Sequence, residues 1–526
     1  MKALFSIAAL ASGWTAAFSM SPVSFWPCLF AGLSALYYLY SRTEKPMQAY
    51  AAGFLFGIGY FTTGLWWIGN ALLVEGNEFA WVWPISVIGL PTLLSLFTGL
   101  YLSVARILSA PGTVKGFLAF VFFLTVSEWT RGTAFTGFPW NLYGYAWAEH
   151  LPMAQSFHCF GAYGMTFLSI LWAAAGGFLL VSGRRVKFKL ACAAAIAAMM
   201  GVMYVLGAAR LDNNPAAFDT RNAVVVVQPN IPQNMKWDPS ATQANFVKTV
   251  RLSEVPETVF GENVPQNIFI VWPETAISPS VSDAPQNVAA IRALLQGYKN
   301  ANAYLVAGIL RRKPDMVERD GVMETAYGNS VALIDRDLSD IRFYDKYNLV
   351  PFGEFIPFQK WIPLKPVAAF RGFEPGGGPA RMEIGGRPDA PAFSPLICYE
   401  VIFPDIVTDR YAKRPDWIVN VTNDGWYGDS AGPHQHFAQT RLRAIEEGLP
   451  VIRSANTGIS GVIDPYGRIV KAAAIFDEAA LTSYLPMPLP HKNPYWPWAL
   501  QIIMPLAALF LMIRGLFAKK RTKPSL

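Results

Sequence analysis

The amino-acid sequence predicts two structural classes in one chain: a multi-pass α-helical membrane domain of eight transmembrane helices, and an α/β domain. Three observations carry this. Hydrophobic residues make up 53% of the 526 residues and charged residues only 15%, against about 25% charged in an ordinary globular domain. The apolar excess is concentrated before residue 210 and again after residue 494. Between these regions, β-branched runs alternate with helix-like stretches. Disorder, a collagen-like repeat and a disulfide-stapled miniprotein are excluded by the same composition.

The predicted spans are 3–20, 24–40, 50–73, 80–105, 116–130, 160–182, 190–208 and 495–514. Each is near the ~20 residues a helix needs to cross the hydrocarbon core. The first could pass for a secretory signal peptide, but no clear A-x-A site precedes Ser21 and a second span follows almost at once. It is therefore read as a retained helix. Alternating connections hold Lys2, then Arg42 and Lys45, then Arg106 and Lys115, then Arg184, Arg185, Lys187 and Lys189. The tail adds Arg514, Lys519, Lys520, Arg521 and Lys523, whereas the other short connections hold only Arg131. Cations mark the cytoplasmic side, so both termini are expected inside and the long segment between spans seven and eight outside. The net charge of +7 thus reflects topology and gives no reason to invoke nucleic acid. The domains expected are 1–210 (helices one to seven), 215–490 (external catalytic domain) and 495–526 (helix eight and basic tail).

In the segment 215–490 the expected strands are Asn222–Gln228, Asn267–Glu274, Ala303–Leu310, Ser330–Ile334, Ser339–Lys346, Pro395–Glu400 and Asp416–Asn423. Helices are expected at 241–254, 284–299, 403–413 and 434–447. Fully apolar strands alternating with helices indicate a sheet buried under helices.

Three expected strands end in chargeable or nucleophilic residues: Glu274 in VWPETA, Lys346 in RFYDKYNLVPFGEF and Cys398 in LICYE. Cys28, Cys159 and Cys192 sit in apolar spans, so Cys398 is the single thiol of the external domain. A charge at the end of a buried strand is costly unless paired, and a carboxylate, an ammonium and a thiol meeting at one edge suit acyl transfer. Glu274 can take the thiol proton, and Lys346 can stabilise the thiolate and the oxyanion of a tetrahedral intermediate. The plain alternative is a buried Glu–Lys pair beside an inert cysteine.

Glu, Lys and Cys in this order and setting resemble the nitrilase superfamily of carbon–nitrogen hydrolases, an αββα sandwich. NIPQNMKW (Asn230–Trp237), WPETA (Trp272–Ala276), KYNLVPFGEFIP (Lys346–Pro357), CYE (Cys398–Glu400), NDGWYG (Asn423–Gly428) and ANTGISG (Ala455–Gly461) resemble, within it, the apolipoprotein N-acyltransferase family. So does FTGFPWNLYGY (Phe135–Tyr145) in the apolar half. The resemblance implies a ping-pong reaction in which Cys398 takes an acyl chain from a phospholipid, typically phosphatidylethanolamine, as a thioester. The α-amine of a lipoprotein's diacylglyceryl-cysteine then accepts it. It further implies Glu274 as general base and acid, Lys346 at the oxyanion, Glu354 as a supporting carboxylate, Tyr399 and Glu400 shaping the acceptor side, and Trp237 at the substrate entrance. The implied setting is the bacterial inner membrane with the catalytic domain periplasmic. No cofactor or metal is implied, and nothing suggests an obligate protein partner, so a monomer is expected.

Other features carry less. The apolar run Phe355–Phe373 suggests a lid over an acyl pocket, or else a loop packed on its own domain. Glu128 and Arg131 are spaced to pair on one helix face, either as a functional intramembrane charge or as a structural clamp. His434 and His436 form an HxH without further ligands at metal spacing. Two rival functions stay open: a membrane-tethered amidase or nitrilase using water as acceptor, and a non-catalytic lipoprotein-binding scaffold.

Overall fold

The computed structural model describes residues 2–75, 80–261, 264–319, 322–356, 372–387, 389–490, 501–503, 505–507 and 509–510. The chain divides into two compact units, one of Met1–Gly69, Trp81–Asn214 and Lys492–Leu526, the other of Asn70–Ala80 and Pro215–His491.

The first unit is helical, with helices at Lys2–Ala17, Pro27–Ser41, Pro46–Leu65, Trp83–Leu108, Val114–Thr133, Phe157–Val181 and Val186–Asp212. Among the described residues, four segments are long and apolar enough to cross a membrane: Pro46–Leu72, Ala80–Leu108, Phe157–Val181 and Val186–Asp212. The last exposes Leu190, Val202, Val205 and Leu206. A contiguous apolar face of that kind is untenable in water and natural against lipid. Most of the expected eighth span, 495–514, and the basic tail lie outside the described residues, as does most of the expected lid, 357–371.

Small residues let these helices approach closely, as is usual where lipid removes the hydrophobic drive between them. A Cβ on Gly13 of the first helix would sit 1.9 Å from the Phe56 carbonyl of the third. Glu128 and Arg131 form a fully buried fork at 2.8 and 2.6 Å. The guanidinium also donates to the carbonyls of Phe138 (2.7 Å), Trp140 (3.0 Å) and Asn141 (3.2 Å). With its donors spent on the FTGFPWNLYGY segment, the pair is a structural clamp.

The second unit contains strands β1 (Phe218–Gln228), β2 (Asn267–Ile277), β3 (Asn302–Arg319), β4 (Val322–Ile334), β5 (Ile341–Asp345), β6 (Phe393–Ile397), β7 (Trp417–Thr422), β8 (Val451–Ala455), β9 (Ser460–Ile463), β10 (Ile469–Ala473) and β11 (Ala479–Pro486). They form two sheets, in the orders β11-β1-β2-β3-β4-β5 and β10-β9-β8-β7-β6. Strands β1, β2 and β3 are mutually parallel, as are β6, β7 and β8. Strand parity fixes the layers, because alternate side chains leave opposite faces. Val224 and Val226 of β1 and Phe269 and Val271 of β2 join Trp417, Val419, Val421 and Ile452 in the core between the sheets. Ala223, Val225, Ile268 and Ile270 face the other way, onto Phe246 and Val250 of helix Thr242–Ser253 and Ile291 and Leu294 of helix Pro285–Gly297. The expected β1–β7 are all present, and β8–β11 come in addition.

The expected helix at 403–413 does not form; those residues make turns and bends. Pro404, Asp405, Thr408 and Asp409 favour turns over a helix interior, and Arg410 pairs with Asp405 at 3.2 Å across the bend.

Strand β2 is not regular at its end. Its register to β3 slips between Trp272 and Ile277, which marks a bulge at WPETA, and bulges re-aim side chains. Thr275 within it has φ +48°. Gly308 of β3 makes room: a Cβ there would lie 2.4 Å from the Pro273 carbonyl and 2.5 Å from the Glu274 Cα. Gly308→Ala should therefore overpack the site by about 1–3 kcal/mol, a drop of roughly 5 °C in melting temperature. An unchanged melting curve would show that the bulge does not depend on this glycine.

Candidate active site

Glu274 is delivered by the β2 bulge, Lys346 follows the last residue of β5, and Cys398 opens a 3-10 turn, Cys398–Ile402, directly after β6. All three are buried. Lys346 Nζ lies 2.9 Å from the Glu354 carboxylate and 3.8 Å from Glu274 Oε1. The Asn329 side-chain amide, on β4, donates to both carboxylates, at 2.7 Å to Glu274 Oε1 and 2.9 Å to Glu354 Oε1. Glu354 Oε2 accepts from the Val350 N–H at 2.8 Å. Among the described residues Glu274 Oε2 has no hydrogen-bond partner, which leaves it able to take a proton.

Burial pulls the Lys346 ammonium down, but Glu354, then Glu274 and Cys398, outweigh it and hold Lys346 above its ordinary value. It is a permanent cation at physiological pH. Cys398 is the opposite case. Burial pushes its thiol up to about 12, Glu274 adds to the rise, and Lys346 and the neighbouring Thr422 hydroxyl act against it. At rest Cys398 is a thiol, not a thiolate. Its backbone is left-handed, with φ +50°, a conformation that costs a non-glycine residue about 1–2 kcal/mol.

Glu400 fixes the two sheets at this corner. Its Oε1 accepts from the Tyr344 hydroxyl (2.8 Å), the Tyr347 N–H (2.7 Å) and the Asn348 N–H (3.2 Å), and its Oε2 from the Ile397 N–H (2.8 Å). One carboxylate thus ties the residues after Lys346 to the residue before Cys398. Burial raises its pKa despite these bonds. Tyr399 is buried with its ring edge-on to Phe403 at 5.0 Å.

Asparagine amides sew the remaining motifs together. Asn456 Oδ1 accepts from the Ile231 N–H (3.0 Å), and its Nδ2 donates to the Ile231 carbonyl (2.8 Å) and Asn423 Oδ1 (3.2 Å). Asn423 Nδ2 donates to Gln233 Oε1 at 2.8 Å. This anchors the NIPQNMKW segment, and a cleft beside it is lined by Lys236, Trp237, Thr242, Phe246, Glu274 and Asn456. Trp237, partly buried, also packs against Leu310, Leu349 and Phe373.

Two residues here escaped the sequence reading. Asn329 carries no motif signal, because a strand asparagine is unremarkable until its neighbours are known. Lys236 donates to the Glu274 carbonyl at 2.7 Å, and burial lowers its ammonium to about 8 against the pull of Glu274 and Cys398. The basic residue preceding Trp237 was a visible signal.

The chain matches two family models: the apolipoprotein N-acyltransferase N-terminal domain over residues 12–175 and the carbon-nitrogen hydrolase domain over residues 223–487. It is 38% identical to an apolipoprotein N-acyltransferase of Rhodopseudomonas palustris, covering 92% of this chain and 90% of that one. It is also 38% identical to one of Brucella melitensis, covering 98% and 96%. Among solved structures, an amidase of the nitrilase superfamily from Nesterenkonia aligns over 54% of this chain and 95% of its own, at 17% identity and a TM-score of 0.35.

A thiol held near 12 makes a specific prediction. Alkylation of Cys398 by iodoacetamide should rise about tenfold per pH unit between roughly pH 6 and 9 without a plateau. A plateau in that range would mean a preformed thiolate.

Proposed function

Because the chain belongs to the apolipoprotein N-acyltransferase family, we propose that it acylates lipoproteins in two steps through a thioester on Cys398. The observation that carries this reading is the buried group of Glu274, Lys346 and Glu354 joined by Asn329, of which Glu274 and Lys346 act on the Cys398 thiol.

In the first step, Sγ attacks an acyl ester carbonyl of a phospholipid, with phosphatidylethanolamine as the expected donor. Glu274 Oε2 takes the thiol proton as the S–C bond forms, so no free thiolate has to exist in the buried site. The oxyanion develops beside the Lys346 ammonium, an electrostatic term commonly worth several kcal/mol in such sites. Collapse breaks the ester C–O bond, and Glu274 returns the proton to the departing lysophospholipid oxygen. In the second step, the α-amine of the diacylglyceryl-cysteine attacks the thioester and gives a proton to Glu274. The C–S bond then breaks and the proton goes back to sulfur. Glu354 keeps Lys346 in place, Tyr399 and Glu400 support the wall of the site, and Trp237 flanks the entry cleft.

Membrane attachment follows from the substrates. Lifting an acyl chain into water costs about 0.8 kcal/mol per CH₂, so the reacting groups must be met at a bilayer surface. The cation pattern favours eight spans with both termini cytoplasmic and the α/β unit on the opposite side; family membership makes the bacterial inner membrane and its periplasmic face the expected setting, and a monomer is expected. The boundaries 1–210, 215–490 and 495–526 describe that organisation. A tethered amidase, with water as acceptor, would use the same residues, and a scaffold would use none of them.

Incubating the full-length protein with phosphatidylethanolamine alone should add one acyl mass to Cys398, released by hydroxylamine. Cys398→Ala should abolish both the adduct and transfer to a diacylated lipopeptide. A Cys398→Ala protein that still transfers would sink the thioester route, and an adduct lost only to water would favour the amidase.

A further inference from the structure

Beneath Cys398 lies a buried polar cluster that the two-step scheme does not use. His436, on helix Ala431–Glu447, is fully buried, with Nε2 3.1 Å from the Cys398 carbonyl oxygen and Nδ1 2.9 Å from Asp424 Oδ1. Arg453 of β8 donates from Nη2 to Asp424 Oδ2 at 2.7 Å, and the same Nη2 lies 3.1 Å from His436 Nδ1. Thr422 at the end of β7 donates to Asp424 Oδ1 at 2.9 Å. Arg453 also reaches Asn420, Thr440 (3.2 Å) and the Ile459 carbonyl (3.1 Å), so its position is fixed from several sides. A Cβ on Gly458 would sit 2.4 Å from Asp424 Oδ2, so the ANTGISG turn closes directly onto this carboxylate.

The proton inventory restricts what the imidazole does. A carbonyl oxygen and a carboxylate oxygen both only accept, so a neutral ring cannot bond both: Nε2–H serves the 3.1 Å contact with Cys398, and Nδ1–H the 2.9 Å contact with Asp424. Arg453 Nη2 can donate to Nδ1 only in the Nε2–H tautomer, in which Asp424 is bonded by Arg453 and Thr422 instead of by the ring. Burial and then Arg453 lower the imidazole pKa, with Asp424 opposing. Its charged and titratable surroundings are Arg453, Asp424, and the Tyr427 ring at 6.1 Å, besides the Cys398 backbone.

We propose that His436 is a positioning residue for the nucleophile: its Nε2–H holds the Cys398 carbonyl and so locks the left-handed backbone that aims Sγ. Arg453, itself fixed by Asp424, holds the imidazole in turn by donating to Nδ1. A cysteine at φ +50° relaxes toward the ordinary region unless its peptide is tethered, and this hydrogen bond is that tether. The inference rests on Cys398 being the acylated residue.

Glutamine and asparagine separate this role from simple packing. The Nε2 of glutamine reaches where the imidazole Nε2 does, whereas the asparagine amide reaches only the Nδ1 position. In the full-length protein with phosphatidylethanolamine, single-turnover acylation of Cys398 followed by intact mass should stay close to wild type in His436→Gln. It should fall about a hundredfold in His436→Asn, the scale set by a misplaced reacting group. Wild-type rates in His436→Asn, or equal slowing in both variants, would overturn the proposal. Should either variant fail to fold, ¹⁵N-histidine spectra of the wild-type protein provide the second measurement: Nε2 must be protonated at rest, and an Nδ1–H tautomer overturns the proposal. Cys398→Ala is run alongside. Acylation persisting there sinks the thioester reading itself, whereas its loss there with wild-type rates in His436→Asn sinks only the role of His436.

Discussion

An ammonium with almost no exposure sits in the α/β unit and must be compensated, and the rest of the site follows from how Lys346 is compensated. Removing a single charge from water costs several kcal/mol even after relaxation. Glu354 at 2.9 Å meets that cost directly, with Glu274 at 3.8 Å. Glu354 and Glu274 face two cations, Lys346 and the Lys236 ammonium that donates to the Glu274 carbonyl, and the Asn329 amide ties the carboxylates by bonding to both. In the proposed reaction Glu274 receives the Cys398 proton as sulfur bonds the carbonyl carbon, so the total charge is unchanged and the negative charge passes to the oxyanion, in the field of Lys346.

Side-chain chemistry alone does not make this arrangement, because three strands and a turn have to end at compatible heights. The bulge at WPETA turns Glu274 out of strict alternation, and Gly308 accepts the backbone that the bulge displaces. The Cys398 turn is held in the left-handed region. Glu400 then spans the gap between sheets by bonding to Tyr344, Tyr347 and Asn348 on one side and to Ile397 on the other. Strained backbone of this kind persists only where the surroundings over-determine it. Here the over-determination comes from a buried carboxylate whose partners are three main-chain N–H groups and one tyrosine hydroxyl.

Much of this was legible in the residues because burial writes itself into strand sequences. Strands β2 and β6, buried on both faces and leading to Glu274 and Cys398, announce a polar cluster, since an isolated buried charge has no stable alternative, whereas β5 before Lys346 is largely exposed. The alternation in β1 likewise separates Val224 and Val226 from Val225. Strands β8–β11 were less visible, being short and set among glycines and serines with no long apolar run. At 403–413, apolar spacing suggested a helix while Pro404 and the aspartates dictated turns, and local turn chemistry prevailed. Asn329 and His436 were obscure for a different reason. Their roles depend on partners far away in sequence, and neither residue type is unusual in a strand or on a helix.

The raised pKa of the thiol looks at first like a handicap, since a nucleophilic cysteine is commonly activated by lowering it. With a thioester intermediate the demand is symmetrical. The sulfur must attack in the first half and leave in the second, and a thiolate stabilised strongly enough to exist at rest would be a poorer nucleophile. In the proposed reaction the sulfur is neutral at rest, and Glu274 holds a proton only during the two crossings of the barrier. Glu274 carries the thiol proton to the lysophospholipid oxygen in the first half and the amine proton to sulfur in the second. The Lys346 ammonium keeps its charge throughout.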